Sequence, residues 1–523
     1  MLPRAGIAVR CVRDVVAVRD SAGLRTPADW SRIIFGPDGP GERSHVVQRR
    51  QDARQKFRRS RLIAGALAST VLFLSGCGGV PQGVAIIGHD LFGHTSNLLT
   101  GYVGAVVADE PQAALAGQDV LARGGNAADA AATVAMALAV TLPSRASLGG
   151  GGACIASRPK EAPHSFLFLP VAPSGAGASK QGDRPAAVPM TPRGIFLMQL
   201  RYGSVDFADT LRPAIRLARA GITVSRALSS DIAAVHNALF ADEVARSIFS
   251  RVDGTPLQSG DELQQPELAN FIERLARMGV GDLYNGALSG IFAEAATQAG
   301  GDLSPEAMRA ALPVEGPSLR VAQGETVAYF LPPPADGGFG AAAMLRGASA
   351  NGAVAAWRAA HGAQGGDLVA QAQAMLDGGE IRSGGSLPAL PASTSFLVTD
   401  RQGNAVACAL TDNNLFGTGR VTDGMGVVLA ASPARVVTPL LGASIVESRG
   451  ALRGVAASSG QNDAAEALGA AVGAILNGRP VPHRGSGRVN AAICGTDGEC
   501  VGETDPRGSG LAVGTRTNGR PGN

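Results

Sequence analysis

Two hydroxyl residues, Ser393 and Thr394, open a short apolar run directly after Ala392, with Pro388 and Pro391 just upstream. The ordinary reading is a strand that starts after a proline-kinked loop. The order small residue, hydroxyl, hydroxyl, strand also supports a sharper one. A cut between Ala392 and Ser393 would make the hydroxyl residue a new N-terminus. Its free α-amine then serves as the base for its own side-chain hydroxyl, which is the chemistry of nucleophilic acyl transfer.

The elements around this point must hold it in place. Residues 395–399 are rich in strand formers, Asp400-Arg401-Gln402-Gly403-Asn404 is a turn cluster, and residues 405–410 form a second apolar run. Together they predict a β-hairpin. Thr411-Asp412-Asn413-Asn414 and the glycines through Gly419 follow the second strand directly. That loop can fold back beside the start of the first strand.

The chain has 523 residues, enough for a large core and one or two domains. A formal net charge of +3 with 17% charged residues lacks the basic excess of a nucleic-acid binder. Glycine is frequent, 71 residues, yet 45% of the chain is apolar, so tight turns and close backbone contacts are expected rather than disorder. The six cysteines show no zinc-ligand spacing, and neither a structural metal nor a cofactor is expected.

Residues 1–60 are polar and Arg-rich and carry no fold assignment; either they are disordered or the true start codon lies further along. A basic run over 57–61 precedes an apolar run over 62–76, closed by Leu74-Ser75-Gly76-Cys77. This is the pattern of a secretory signal, too short to span a bilayer comfortably. The cysteine at the cut resembles a bacterial lipoprotein signal, with Cys77 carrying the lipids and 77–103 as a tether. Everything beyond is then expected outside the cytoplasm, at the periplasmic face of the envelope, with no membrane contact but the anchor. An oxidising compartment would permit a disulfide between Cys494 and Cys500 across the turn 495–499, which spacing alone leaves open.

From residue 110 to 391 the pattern is mostly helical. Residues 110–123 read as an amphipathic helix with Pro111 in its first turn, and Asn126 caps a second helix over 127–140 that must be buried. The four glycines 149–152 let the backbone approach something closely, but no Lys-Ser/Thr follows to make a phosphate loop. Residues 153–157 read as a strand and 159–187 as loop. Helices are expected over 196–203, 209–221, 231–249, 267–278, 287–300 and 340–345, and two weak ones within 346–391. Past the hairpin, short strands are expected over 427–429 and 444–446, a polar turn over 457–463 and a buried helix over 464–476.

The blocks 124–131, 148–152, Tyr202-Gly203, 217–221, 331–338, 400–406, Phe416-Gly417-Thr418-Gly419 and Asp505-Pro506-Arg507 occur in one order from about residue 104 onward. In that order they resemble the γ-glutamyltransferase family, also called γ-glutamyltranspeptidases or glutathione hydrolases. The resemblance implies an α+β fold, the four-layer αββα sandwich of N-terminal-nucleophile hydrolases. It implies one precursor that cuts itself into a large part, 104–392, and a small part, 393–523, behind the leader 1–76. It also implies a small γ-glutamyl or related acyl amide as substrate, with water or an amine as acceptor, and no cofactor.

Counting back from the Asp400 turn, the family nucleophile falls on Ser393, with Thr394 as the second hydroxyl; an offset of one residue gives the role to Thr394. Thr411 matches the family threonine that hydrogen-bonds the nucleophile, and Asn413 the asparagine that holds the α-carboxylate end of the donor. The oxyanion-hole glycine pair falls on Gly460 and Gln461, where a backbone N–H of Gln461 still suffices. Other positions depart. Leu169 stands where the family has its carboxylate-clamping arginine, and Arg435 where it has the acidic residue that binds the donor amine. The family's adjacent serine pair is lost near Leu441-Gly442. Leucine does not replace a bidentate guanidinium. Three readings follow: a γ-glutamyltransferase, an acylase of other amides favoured by Leu169 and Arg435, or an inactive scaffold of the same fold.

Overall fold

The computed structural model describes residues 99, 101–173, 183–361 and 367–514. The leader 1–76, the lipidation site Cys77 and most of the 77–103 tether lie outside these described residues.

The strands, in chain order, are β1 (Gly104–Ala108), β2 (Gly151–Ser157), β3 (His164–Phe168), β4 (Ile222–Thr223), β5 (Glu262–Leu263), β6 (Val314–Pro317), β7 (Leu319–Gln323) and β8 (Thr326–Phe330). After them come β9 (Thr394–Asp400), β10 (Ala405–Thr411), β11 (Gly442–Ser448), β12 (Ala451–Ser459), β13 (Arg488–Cys494), β14 (Cys500–Glu503) and β15 (Leu511–Val513). The helices that matter most for the site are α1 (Pro111–Ala122) and α2 (Ala127–Thr141), which cover one face, and α3 (Gly337–Leu345) and α4 (Ala464–Leu476), which cover the other.

β15-β1-β9-β10-β2-β3-β6 form one sheet and β14-β13-β12-β11-β8-β7 another, with antiparallel pairing throughout. Side chains alternate across each strand, so each sheet has two buried faces. Ala105, Ile155, Leu397, Ala407 and Ala409 of the first sheet share a core with Ile445, Val455, Ala457 and Ala492 of the second. The neighbouring positions Val106, Phe396, Val398, Val406 and Leu410 turn the other way and pack on α2. Phe330, Val446, Ala456 and Ala491 likewise pack on Phe339 of α3 and on Leu468 and Val472 of α4. The layers therefore run helix, sheet, sheet, helix, which is the expected αββα sandwich. Alanine dominates the middle core, so the two sheets lie close together.

All fifteen residues of α2 are buried, which its alanine-rich sequence allows. Asn126 and Asp129 form a capping box at its start. The hairpin turn adds to this cap. Asp400 accepts the N–H groups of Gln402 (2.9 Å) and Asn404 (3.0 Å), and its second oxygen accepts the N–H of Ala127 (2.9 Å). One carboxylate thus closes the β9–β10 turn and binds it to the positive end of α2.

Several expectations are corrected. Residues 231–249 form not one helix but two, Arg226–Leu239 and Glu243–Phe249, because Asp242 caps the second by accepting the N–H of Ala245 at 2.7 Å. The stretch 159–187 contains β3, paired with β2 and β6. Residues 427–429 make a single bridge, Val421 with Val428, rather than a strand. The supposed turn at 457–463 begins as strand: β12 runs to Ser459, opposite Arg488. Small residues there mimic turn composition, but what they provide is close sheet packing.

Candidate active site

β9 and β10 pair with Thr394 opposite Leu410, so Ser393 and Thr411 are neighbours at the end of the ladder. Alternation turns Ser393, Ser395 and Thr411 to the side of the second sheet, with Leu397 and Ala409. Thr394 falls on the helix side, with Phe396 and Val398. Ser393, Thr394 and Thr411 are all fully buried.

The Thr411 hydroxyl donates to the carbonyl oxygen of Ala392 at 3.1 Å. The Asn413 N–H in turn donates to Thr411 Oγ1 at 2.9 Å, which directs the threonine proton outward. Asn413 reaches this position in the left-handed region, φ 59°. Its Nδ2 donates to the Ala431 carbonyl at 3.0 Å, while its buried Oδ1 has no partner. The Ser393 hydroxyl donates to the Gly460 carbonyl at a long 3.4 Å. At Gly460, then, the group that meets the nucleophile position is a carbonyl, and Gln461 beside it is exposed. Thr411 was expected on the nucleophile itself; its contact is with the carbonyl of the residue before it.

Behind this pair lies a carboxylate that sequence reasoning missed. Asp109 Oδ2 accepts the Thr394 hydroxyl, the Ser395 N–H and the Ser459 hydroxyl, each at 3.0 Å, and Oδ1 accepts Asn490 Nδ2 at 2.8 Å. No local motif marks Asp109, since its partners lie about 285 residues or more away in sequence.

The four-glycine run packs against the loop after β10. A Cβ at Gly150 would collide with Asp412 Oδ1, and one at Gly152 with the Ala409 carbonyl. Close approach to backbone is the use of these glycines here. Asp412 is fully buried, and burial pushes its carboxyl up to about 7, although the Ser147 hydroxyl (2.8 Å) and N–H (3.0 Å) pull the other way. A raised carboxyl holds its proton in the folded state longer than in the unfolded state. Its stabilisation is full below pH 4 and is lost as pH rises to about 7. Asp412→Asn should remove on the order of 4 kcal/mol of that pH dependence. Urea unfolding at pH 4.5 and 7.5 checks this; an unchanged slope would refute it. Burial moves Glu110 and Glu447 the same way, to about 7 each, so part of the wild-type slope remains.

The two departures are also visible. Leu169 is half-buried against the apolar core between the sheets, and Arg435 is exposed. The cysteine pair left open is joined, Cys494 to Cys500, and an unexpected second bond joins Cys154 on β2 to its register partner Cys408 on β10.

Comparison with known proteins gives a consistent picture. Residues 113–375 match the family described as Gamma-glutamyltranspeptidase. A glutathione hydrolase proenzyme of Escherichia coli (strain K12) is 30% identical over 381 residues, 62% of this chain and 65% of that protein. Glutathione hydrolase 3 of Arabidopsis thaliana is 30% identical over 259 residues, 47% of this chain and 40% of the plant protein. The chain therefore spans less than two thirds of these relatives' lengths. The crystal structure of cephalosporin acylase from Bacillus halodurans superposes with a TM-score of 0.64 at 17% identity, covering 86% of this chain and 100% of that one. At that identity the likeness carries the fold alone.

Proposed function

The chain belongs to the gamma-glutamyltranspeptidase family, and from that membership we propose that it is a self-cleaving amidohydrolase and acyltransferase. The observation that carries this reading is the Thr411 hydroxyl on the Ala392 carbonyl, with Ser393 on the same face of the hairpin. Ser393 Oγ adds to the Ala392 carbonyl carbon, and the oxygen gains charge against the Thr411 hydroxyl. The C–N bond breaks as the nitrogen takes up the hydroxyl proton, leaving an ester. Water hydrolyses that ester to an Ala392 carboxylate and the Ser393 hydroxyl, and the amine freed in the previous step stays as the new N-terminus. The amine then accepts the Oγ proton as the hydroxyl attacks a donor amide, and passes it to the leaving amine. Water or an amine resolves the acyl-enzyme.

The family's donor is a γ-glutamyl amide such as glutathione. A second reading, an acylase of other amides, draws support from two observations. Leu169 lies in apolar surroundings, and Arg435 is exposed. N-terminal sequencing of the smaller chain after reduction should begin at Ser393. Amine release from γ-glutamyl-p-nitroanilide, set against a panel of other acyl amides, separates the two substrates. No release from any of them would leave only the scaffold reading.

The same proposal puts the protein outside the cytoplasm, lipid-anchored through Cys77. Two disulfides support an oxidising compartment. A Cys77→Ser variant that stays in the membrane fraction would remove the anchor from this picture.

A further inference from the structure

We propose that Asp109 is a positioning residue for self-cleavage: its carboxylate fixes Thr394 and Ser395, the second and third residues after the scissile bond, and ties them to the second sheet. The inference rests on the self-cleavage reading above.

β1 pairs with β9 through Ala108 opposite Phe396, and the Asp109 N–H still donates to the Ser395 carbonyl at 3.3 Å. One more residue of ladder would need a β1 acceptor for the Ser395 N–H. The chain instead leaves the sheet: Glu110 is the N-cap of α1 and Pro111 begins it. The Asp109 side chain supplies that acceptor at 3.0 Å. The same oxygen holds the Thr394 hydroxyl, so β9 is gripped by backbone and side chain at once. Ser459 on β12 and Asn490 on β13 donate to this carboxylate from the opposite sheet. Asn490 Nδ2 also reaches the Ser395 carbonyl at 3.1 Å.

The scissile bond lies one residue before Thr394. On its other side, residues 377–393 have no regular secondary structure. That segment is held near the cut by buried Leu390, whose N–H donates to Asn462 Oδ1 at 3.0 Å, and the Asp109 contacts supply the second anchor, on the strand side. Four donors converge on one carboxylate, and an amide cannot accept them all, because its NH2 would face hydroxyls and N–H groups that need an acceptor. Misplacement of about 1 Å near a reacting centre costs on the order of 10²-fold in rate.

The test follows cleavage of freshly made precursor by intact mass, with unfolding midpoints measured on the same preparations. Asp109→Asn should cleave at least about tenfold more slowly than wild type. Thr394→Val, nearly isosteric and leaving the carboxylate in place, should also slow cleavage. The double variant should be no slower than the worse single, because both break one contact. Ser459→Ala, which removes a donor without touching β9, should cleave near the wild-type rate even where its midpoint falls. Cleavage of Asp109→Asn and Thr394→Val at the wild-type rate would overturn the proposal. So would slowing that multiplies in the double variant, or that tracks midpoints across all variants. A wild type that never cleaves would instead defeat the underlying reading.

Discussion

Ser393→Ala is expected to remain one uncleaved chain and to release no amine from any acyl amide, while Ser393→Thr cleaves. Ser393 lies on the face of β9 that carries Ser395 and Leu397, and its hydroxyl meets the Gly460 carbonyl beside the point where the Thr411 hydroxyl meets the Ala392 carbonyl, whereas the Thr394 hydroxyl is taken up by Asp109. Alanine removes the attacking oxygen and leaves the surrounding ladder intact. Loss of a nucleophile of this kind costs on the order of 10⁶-fold, so no cleavage should be seen over days. Intact-mass measurement on reduced protein decides it. If Ser393→Ala still cleaves and Thr394→Ala does not, the nucleophile is Thr394, and the alternation argument is wrong at this strand end.

Thr411→Val should slow self-cleavage by about 10²- to 10³-fold, the usual effect of removing one donor from a developing oxyanion. Valine keeps the shape and loses the hydroxyl. The loss has two parts. The Ala392 carbonyl is no longer polarised, and the buried Asn413 N–H, now without an acceptor, destabilises the fold by about 1–3 kcal/mol. A lowered unfolding midpoint should therefore accompany the slower cleavage. Thr411→Ser restores the hydroxyl and should restore most of both. Time-resolved mass spectrometry of the Val variant within threefold of wild type would show that Thr411 is a packing residue.

The hairpin at the centre of this chemistry was legible from sequence because its signals are local. The Asp400 turn, the apolar alternation and the following polar loop all fall within about twenty residues. The helix over 464–476 was legible for the same reason: its apolar run lies in one window after a polar stretch, and the observed bounds match. Asp109 was not, because nothing near it in sequence says that β1 will lie beside β9, almost three hundred residues on. Nor could spacing reveal that Cys154 faces Cys408, since that depends on the register of β2 against β10. β3 was lost in a Pro- and Gly-rich stretch, where composition argued for loop and the two flanking strands decided otherwise. Leu169 was legible as a substitution, and its surroundings are as apolar as the residue itself.

The bond between Cys154 and Cys408 has a consequence for the order of refolding. It links a residue before the proposed cut to one after it. A cut heterodimer without such a link refolds by encounter of two chains, at a rate that falls with dilution. With the link in place, both pieces share one molecule, and each sees the other at a high, fixed effective concentration. Unfolded, nicked and oxidised protein should therefore regain its structure with first-order kinetics at any dilution. Reducing it before refolding should turn the same process second-order.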